Sequence, residues 1–163
     1  MIWVIILSKF NEKFQYIVLD TGILVSYLSK ESTAINKWLD EKIFNDELDI
    51  CVICHKINLT ELFYIICRKL GVDKTRQIVQ TLNDYIYFCS NDEIYEIAGL
   101  IKCRYSISLA DCFSIATAKF YNCALIFKQE IELNLKLISQ IKNEFNTKIW
   151  ILNEQNGEVE ISQ

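Results

Sequence analysis

The chain of 163 residues contains no proline and only four glycines. Linkers between domains are rich in such residues, so their scarcity indicates that no flexible linker divides the chain. Apolar runs are also short, since none reaches the roughly 18 consecutive residues of a membrane-spanning helix. We therefore expect one domain over residues 1–163 and no membrane partner.

Basic residues are outnumbered by acidic ones, 17 to 21, which gives a net charge of −4. This balance argues against a protein that holds nucleic acid by bulk positive charge. It leaves open an enzyme that holds phosphates through bound metal ions. Hydrophobic residues at 52% and charged residues at 23% are typical of a globular chain.

The first seven residues, MIWVIIL, are apolar but lack the basic region and the small-residue cleavage site of a secretion signal. We interpret residues 1–14 as an extra strand or a docking arm. The chain has seven cysteines, an odd number without an export signal, which indicates reduced thiols. These features predict a cytoplasmic protein.

Short β-rich runs alternate with amphipathic segments along the chain. Tyr16 to Leu19 is a mostly β-branched apolar run of the kind that fills a buried parallel strand. Five such strands interleaved with helices predict an α/β fold, with a mostly parallel five-stranded sheet and helices on both faces. The predicted strands lie at 16–19, within 48–57, and at 86–88, 124–127 and 148–152.

Three acids lie at predicted helix starts: Asp20, Glu61 and Asp111. Each has a structural explanation, because Asp20 fits an N-cap, Glu61 fits a capping box with Asn58, and acids are favoured at helix N-termini. However, Asp20 and Glu61 follow strands, so both are expected at the carboxyl edge of the sheet, and Asp111 can point there. Carboxylates brought close raise each other's pKa unless a cation joins them, and hard oxygen ligands suit Mg²⁺ or Mn²⁺. Such a metal can activate water against a phosphodiester.

Three segments carry a family resemblance: YIVLDTGILVSYL, INLTELFYIICRKLG and SLADCFSIATAKFYNCALIF. In this order and spacing they resemble the three blocks of a PIN domain, and more narrowly the VapC-type toxins of toxin–antitoxin pairs. The resemblance spans nearly the whole chain. It implies an α/β/α sandwich, a metal-dependent endoribonuclease that cuts RNA, a homodimer, and a small antitoxin that neutralises it. Asp20, Glu61 and Asp111 match the family's metal-binding acids.

The sequence departs from the family pattern at two places. Gly22 stands where the family often has Ser or Thr, so that hydroxyl is missing. Gln129 stands near the place of the family's fourth acid, and Glu130 and Glu132 follow it. We predict Glu130 as the fourth metal ligand, ahead of Glu132, which can equally sit in the next helix as a surface acid. The alternative is a site with three acids.

Cys51, Cys54 and His55 form a CxxCH pattern, which is typical of haem attachment and, as CxxC, of redox or zinc sites. The pattern lies in a predicted buried strand, where Cys51 and Cys54 point to opposite faces. A core role as small hydrophobes therefore explains the two cysteines better.

Two further predictions concern contacts. Arg68 follows Glu61 by seven residues, so it shares that helix face and can reach an RNA phosphate, although a solvated surface role fits as well. Trp38, Tyr64 and the apolar N-terminal segment exceed the needs of a small core and are candidates for a homodimer interface.

Three function classes remain at this point. The favoured one is an Mg²⁺- or Mn²⁺-dependent ribonuclease that is the toxin of a toxin–antitoxin pair. The second is a PIN-fold RNA- or protein-binding module with weakened catalysis, which the Gly22 and Gln129 departures favour. The third is a thiol or haem protein built on Cys51, Cys54 and His55.

Overall fold

A computed structural model describes residues 15–129, 134–155 and 157–162. The strands in these residues are β1 (Gln15–Leu19), β2 (Ile50–His55), β3 (Ile86–Cys89), β4 (Ala124–Lys128), β5 (Lys148–Gln155) and β6 (Glu158–Ser162). The helices are α1 (Thr21–Ser29), α2 (Thr33–Lys42), α3 (Lys56–Leu70), α4 (Val72–Leu82), α5 (Asp92–Arg104), α6 (Leu109–Tyr121) and α7 (Leu135–Phe145).

The strands form one sheet in the order β3-β2-β1-β4-β5-β6. All neighbours are parallel except β6, which runs antiparallel to β5. β1 is therefore internal, between β2 and β4, and its carboxyl end leads directly into α1. This confirms the predicted α/β class with a mostly parallel sheet.

Two apolar layers cover the sheet, because successive strand residues point to opposite faces. In β1, Val18 packs with residues of α5, α6 and α7, whereas Ile17 and Leu19 pack with residues of α1 to α4. All three β1 side chains are at most 3% exposed. The result is the α/β/α sandwich that the resemblance implies, and a strand buried on both faces explains the unbroken apolar run of β1.

The sheet has six strands rather than the predicted five. The additional strand β6 follows a turn at Gly157, whose φ of +80° suits glycine. Val159 contacts the core layer on the α1–α4 side, while Glu158 and Glu160 are exposed. The alternating pattern EVEIS after a glycine is the hairpin signal that the sequence prediction missed.

Several predictions concern residues that lie outside the described part of the chain. These are the N-terminal segment 1–14, Glu130 and Glu132. Among the helices that the structure does describe, none is both long and apolar enough to cross a membrane.

Candidate active site

Asp20 lies at the carboxyl end of β1 and caps helix α1. Its backbone N–H donates to the carbonyl oxygen of Ile126 in β4, at 3.0 Å, so the residue is held at the edge of the sheet. One carboxylate oxygen accepts from the Gly22 backbone N–H at 2.9 Å, and the other accepts from the Ser114 hydroxyl at 2.8 Å. The predicted N-cap is thus present, but the side chain is also only 4% exposed, which is unusual for a helix cap.

The surroundings of Asp20 disfavour its charge. Burial, and then the charge of Asp111, raise its pKa from 3.8 to about 7, with a smaller contribution from Glu61. The hydrogen bonds from Gly22 and Ser114 act in the opposite direction and are too weak to compensate. An acid that is half protonated near neutral pH is typical of a functional site.

Glu61 lies in the second turn of α3 and is half-buried. Burial raises the pKa of its carboxyl group, the charge of Asp111 raises it further, and a hydrogen bond from the Thr21 hydroxyl lowers it. Because Thr21 is the neighbour of Asp20, this bond links the second acid to the chain segment that carries the first.

Asp111 lies in the first turn of α6 and forms a capping box with Ser108. The Ser108 N–H donates to the Asp111 carboxylate at 3.2 Å, and the Asp111 N–H donates to the Ser108 hydroxyl at 3.0 Å. The structural explanation for this acid is therefore correct. Capping is not the only effect of Asp111, because the charge of Asp111 also raises the pKa of Asp20 and of Glu61. The three carboxylates interact electrostatically; that they bind metal stays a prediction.

Asn58 is the residue that the sequence interpretation misplaced. Helix α3 begins one turn earlier than expected, with His55 as its N-cap, so the predicted capping box of Asn58 and Glu61 is wrong. Asn58 instead lies inside the fold, 2% exposed. Its Nδ2 donates to the hydroxyls of Thr21 (3.2 Å) and Ser114 (2.8 Å). The same Nδ2 lies 3.1 Å from the carbonyl oxygen of Ala110.

The residues around the acids fit a hydrated divalent cation better than a closed metal cage. Within the described residues, no three His, Cys, Asp or Glu side chains are close enough to hold a metal ion by themselves. Mg²⁺, however, keeps several waters and is often held by one or two carboxylates. The mutual repulsion of Asp20 and Asp111 is what a cation would relieve. Asn58 Oδ1, buried without a partner in the described part of the chain, is an acceptor suited to water.

Arg68, Tyr64 and Gln129 lie on the surface of the described chain. Arg68 is exposed, and its guanidinium carbon lies 5.0 Å from the centroid of the Tyr64 ring. Tyr64 is 44% exposed, whereas Trp38 packs against the core layer on the α1–α4 side and so has a role in the core. Gln129 is exposed just beyond β4. Contacts of Arg68 with RNA and a homodimer remain predictions.

The CxxCH pattern is explained by packing. Cys51 and Cys54 belong to opposite core layers, as predicted, and the Cys54 thiol donates to the Leu19 carbonyl at 3.2 Å. His55 accepts from the Ile57 N–H through Nδ1, at 3.1 Å, and its ring stacks on Phe113 with centroids 4.4 Å apart. The two thiols therefore cannot attach one haem or bind one metal, and His55 has a capping role.

Comparison with known proteins identifies one family. The PIN domain family matches residues 17–133. No curated protein matches the chain.

Several solved structures have the same fold. A chain of VapBC2 from Rickettsia felis, bound to a DNA fragment from their promoter, is 15% identical, with coverage of 84% of this chain and 98% of that chain and a TM-score of 0.62. A toxin–antitoxin complex from Klebsiella pneumoniae is 18% identical, with coverage of 71% and 88% and a TM-score of 0.52. VapC20 from Mycobacterium tuberculosis, a Sarcin-Ricin loop cleaving toxin, is 13% identical, with coverage of 76% and 94% and a TM-score of 0.57.

Proposed function

The chain belongs to the PIN domain family, and from this membership and its acidic site we propose that it is a metal-dependent endoribonuclease, the toxin of a toxin–antitoxin pair. The observation that carries the proposal is the state of Asp20. This carboxylate is buried, its pKa is raised to about 7, and the charged groups that act on it most are two further acids. Such an arrangement is unfavourable for folding and becomes favourable when a cation binds.

Relatives of the same fold support the reaction class. VapC20 is a toxin that cleaves the Sarcin-Ricin loop, and the Klebsiella structure is a toxin–antitoxin complex. By analogy, the substrate of this chain is RNA and its partner is a small antitoxin, which we expect to supply a basic side chain to the acids. A homodimer and a cytoplasmic location belong to the same proposal.

In this proposal Asp20, Glu61 and Asp111 are catalytic metal ligands, and Glu130 is the fourth ligand. A bound Mg²⁺ or Mn²⁺ would neutralise charge on the phosphodiester and lower the pKa of a bound water. Asp20 is oriented by its two hydrogen bonds, so its position is set before any ligand arrives. Burial and the neighbouring acids favour the protonated form of Asp20, and a bound cation would favour its ionised form, with the proton released to solvent. Arg68 is proposed to contact an RNA phosphate.

A second candidate function is a PIN-fold module that binds RNA or protein without cutting. It is favoured by the lack, within the described residues, of three side chains arranged to hold a metal by themselves. The exposed Gln129, near the place of the family's fourth acid, points the same way.

Cleavage by the purified chain tests both candidates. We expect end-labelled RNA to be cut with Mg²⁺ or Mn²⁺ and to stay intact with a chelator. Asp20→Asn should lower the rate roughly 100-fold or more, since it removes a ligand carboxylate. The matched control is Asp73→Asn, the same change at an exposed acid on α4 that forms an ion pair with Arg76 at 3.4 Å, and it should cut like the parent.

Two outcomes would contradict the nuclease proposal. One is cleavage that persists in the chelator or in Asp20→Asn, which would indicate a contaminating enzyme. The other is metal-independent RNA binding without any cleavage, which would favour the binding module.

A further inference from the structure

We propose that Asn58 is the positioning residue of the acidic site, which fixes Asp20 and Glu61 relative to each other through the hydroxyls of Ser114 and Thr21. This inference rests on the proposed function, because it concerns the binding of a divalent cation by the same acids. It assigns a role to a residue that is neither an acid nor a candidate ligand.

The first argument is the direction of the hydrogen bonds. The Asn58 amide nitrogen is a donor only, so the Ser114 hydroxyl oxygen, 2.8 Å away, must accept from it. The hydroxyl hydrogen of Ser114 is then directed to Asp20 at 2.8 Å. In the same way Thr21 accepts from Asn58 at 3.2 Å and donates to Glu61. One amide thus directs two hydroxyl protons onto two acids.

The second argument is the location of the three oxygens that surround the Asn58 amide nitrogen and share its two hydrogens. Thr21 directly follows Asp20 at the start of α1, and Ala110 directly precedes Asp111 in α6. The Asn58 amide reaches both, with the Ala110 carbonyl at 3.1 Å, from a position one turn before Glu61 in α3. One side chain therefore ties together the three helix starts that carry the three acids.

The third argument is that Asn58 is poorly suited to stability alone. It is 2% exposed, and its Oδ1 has no hydrogen-bond partner within the described residues. A buried acceptor without a partner is destabilising and offsets part of the stability that the amide hydrogen bonds contribute. The amide is explained if its two hydrogens are needed to position the acids and its oxygen is left for water.

The test measures Mn²⁺ affinity by calorimetry in the full chain, alongside RNA cleavage. Asn58→Leu removes the donor and roughly keeps the volume. We expect its Mn²⁺ affinity to fall about 10- to 100-fold, the effect of losing a group that orients metal ligands. The matched control is Asn36→Leu on α2. Like Asn58, Asn36 has a buried Oδ1 without a partner in the described chain, and its Nδ2 donates to a backbone carbonyl, that of Tyr27, at 3.0 Å. This control should bind Mn²⁺ like the parent.

A double-mutant cycle distinguishes a positioning role of Asn58 from general destabilisation of the fold. If Asn58 acts on Asp20 through Ser114, then Asn58→Leu and Ser114→Ala should each weaken Mn²⁺ binding, and the double variant should be little worse than either single variant. If Asn58→Leu does not fold, Ser114→Ala and Thr21→Val carry the test, with an expected loss of about 10-fold each.

The outcomes distinguish the inference from the function on which it rests. A parent chain that binds no Mn²⁺ would overturn both. A parent that binds and cuts, with Asn58→Leu or the two hydroxyl variants equal to it, would overturn the positioning role alone. Equal losses in Asn58→Leu and Asn36→Leu would also overturn it, since the effect would then be general destabilisation.

Discussion

Helix α1 has an acid just beyond each of its ends, and the two carboxylates lie in opposite surroundings. Asp20 precedes the helix, is 4% exposed, and receives hydrogen bonds from neutral donors. Glu31 follows the helix, is exposed, and lies 3.4 Å from the ammonium groups of both Lys69 and Lys128. The two acids are eleven positions apart in the sequence. Within the described residues, Glu31 is paired with two cations, whereas the hydrogen-bond donors to Asp20 are neutral.

The pKa values of the two groups shift in opposite directions. A hydrogen bond from Ser29, and then Lys128 and Lys69, hold the pKa of Glu31 below its usual value, so its charge stabilises the fold. Burial and neighbouring acids raise the pKa of Asp20 to about 7, so its charge destabilises the fold. This difference is the reason for proposing Asp20, and not Glu31, as a ligand for a cation from outside the chain.

The largest expected effect is on stability, and it has the sign opposite to that of most core mutations. With a chelator present at pH 8, the free energy of unfolding of Asp20→Asn should be about 2–4 kcal/mol higher than that of the parent. The variant avoids the cost of a buried charge, and a shift of one pKa unit corresponds to about 1.4 kcal/mol. The folded-state pKa of Asp20 is raised, so the parent loses stability as the pH rises from 3.8 to about 7. Urea unfolding across that range measures the difference.

The same series contains its own check. Below pH 3.8 the Asp20 carboxyl group is protonated in both the folded and the unfolded parent, so the advantage of Asp20→Asn should vanish. A variant that is less stable than the parent at pH 8 would contradict the comparison, since it would mean that the ionised Asp20 is favourable without a cation.

The next effect is stabilisation by metal. Mn²⁺ at about 100 times its dissociation constant should stabilise the parent by about 2.7 kcal/mol, as for any ligand that binds only the folded state. Asp20→Asn should lose most of this gain, and Glu31→Gln should keep it, because Glu31 is already paired with two lysines. Thermal unfolding with and without Mn²⁺ measures both. Equal metal stabilisation of the two variants would remove the distinction between the two acids.

Local patterns were sufficient to predict the fold and the position of Asp20. An apolar run that ends in an acid marks the end of a buried strand, and this depends only on neighbouring residues. The missed strand β6 also had a local signal, in Gly157 and the alternation that follows it. Its hairpin was overlooked because the preceding strand was ended too early, at Leu152 rather than Gln155.

The hydrogen-bond network around the acids could not be predicted in the same way. Asn58 fits a helix cap by its residue type, and only the position of His55 shows that α3 starts one turn earlier. Ser114 lies within the buried stripe of α6, where a small polar residue has several explanations. Both roles depend on contacts between residues that are 37 to 94 positions apart in the chain. A single sequence carries no signal for such contacts.

The smallest effect concerns Glu31 itself. Glu31→Gln should destabilise the chain by about 0.5–1 kcal/mol, since partly exposed ion pairs contribute little and water screens them. The loss should shrink at high salt and disappear in acid, because the folded-state pKa of Glu31 is lowered and its contribution is lost as the pH falls through that value. Glu41→Gln, which removes one pair with Lys37 at 3.8 Å, is the control with the weaker expected effect. Should Glu31→Gln instead stabilise the chain at neutral pH, as Asp20→Asn is expected to do, the two lysines would not satisfy Glu31 and the two ends of α1 would not differ.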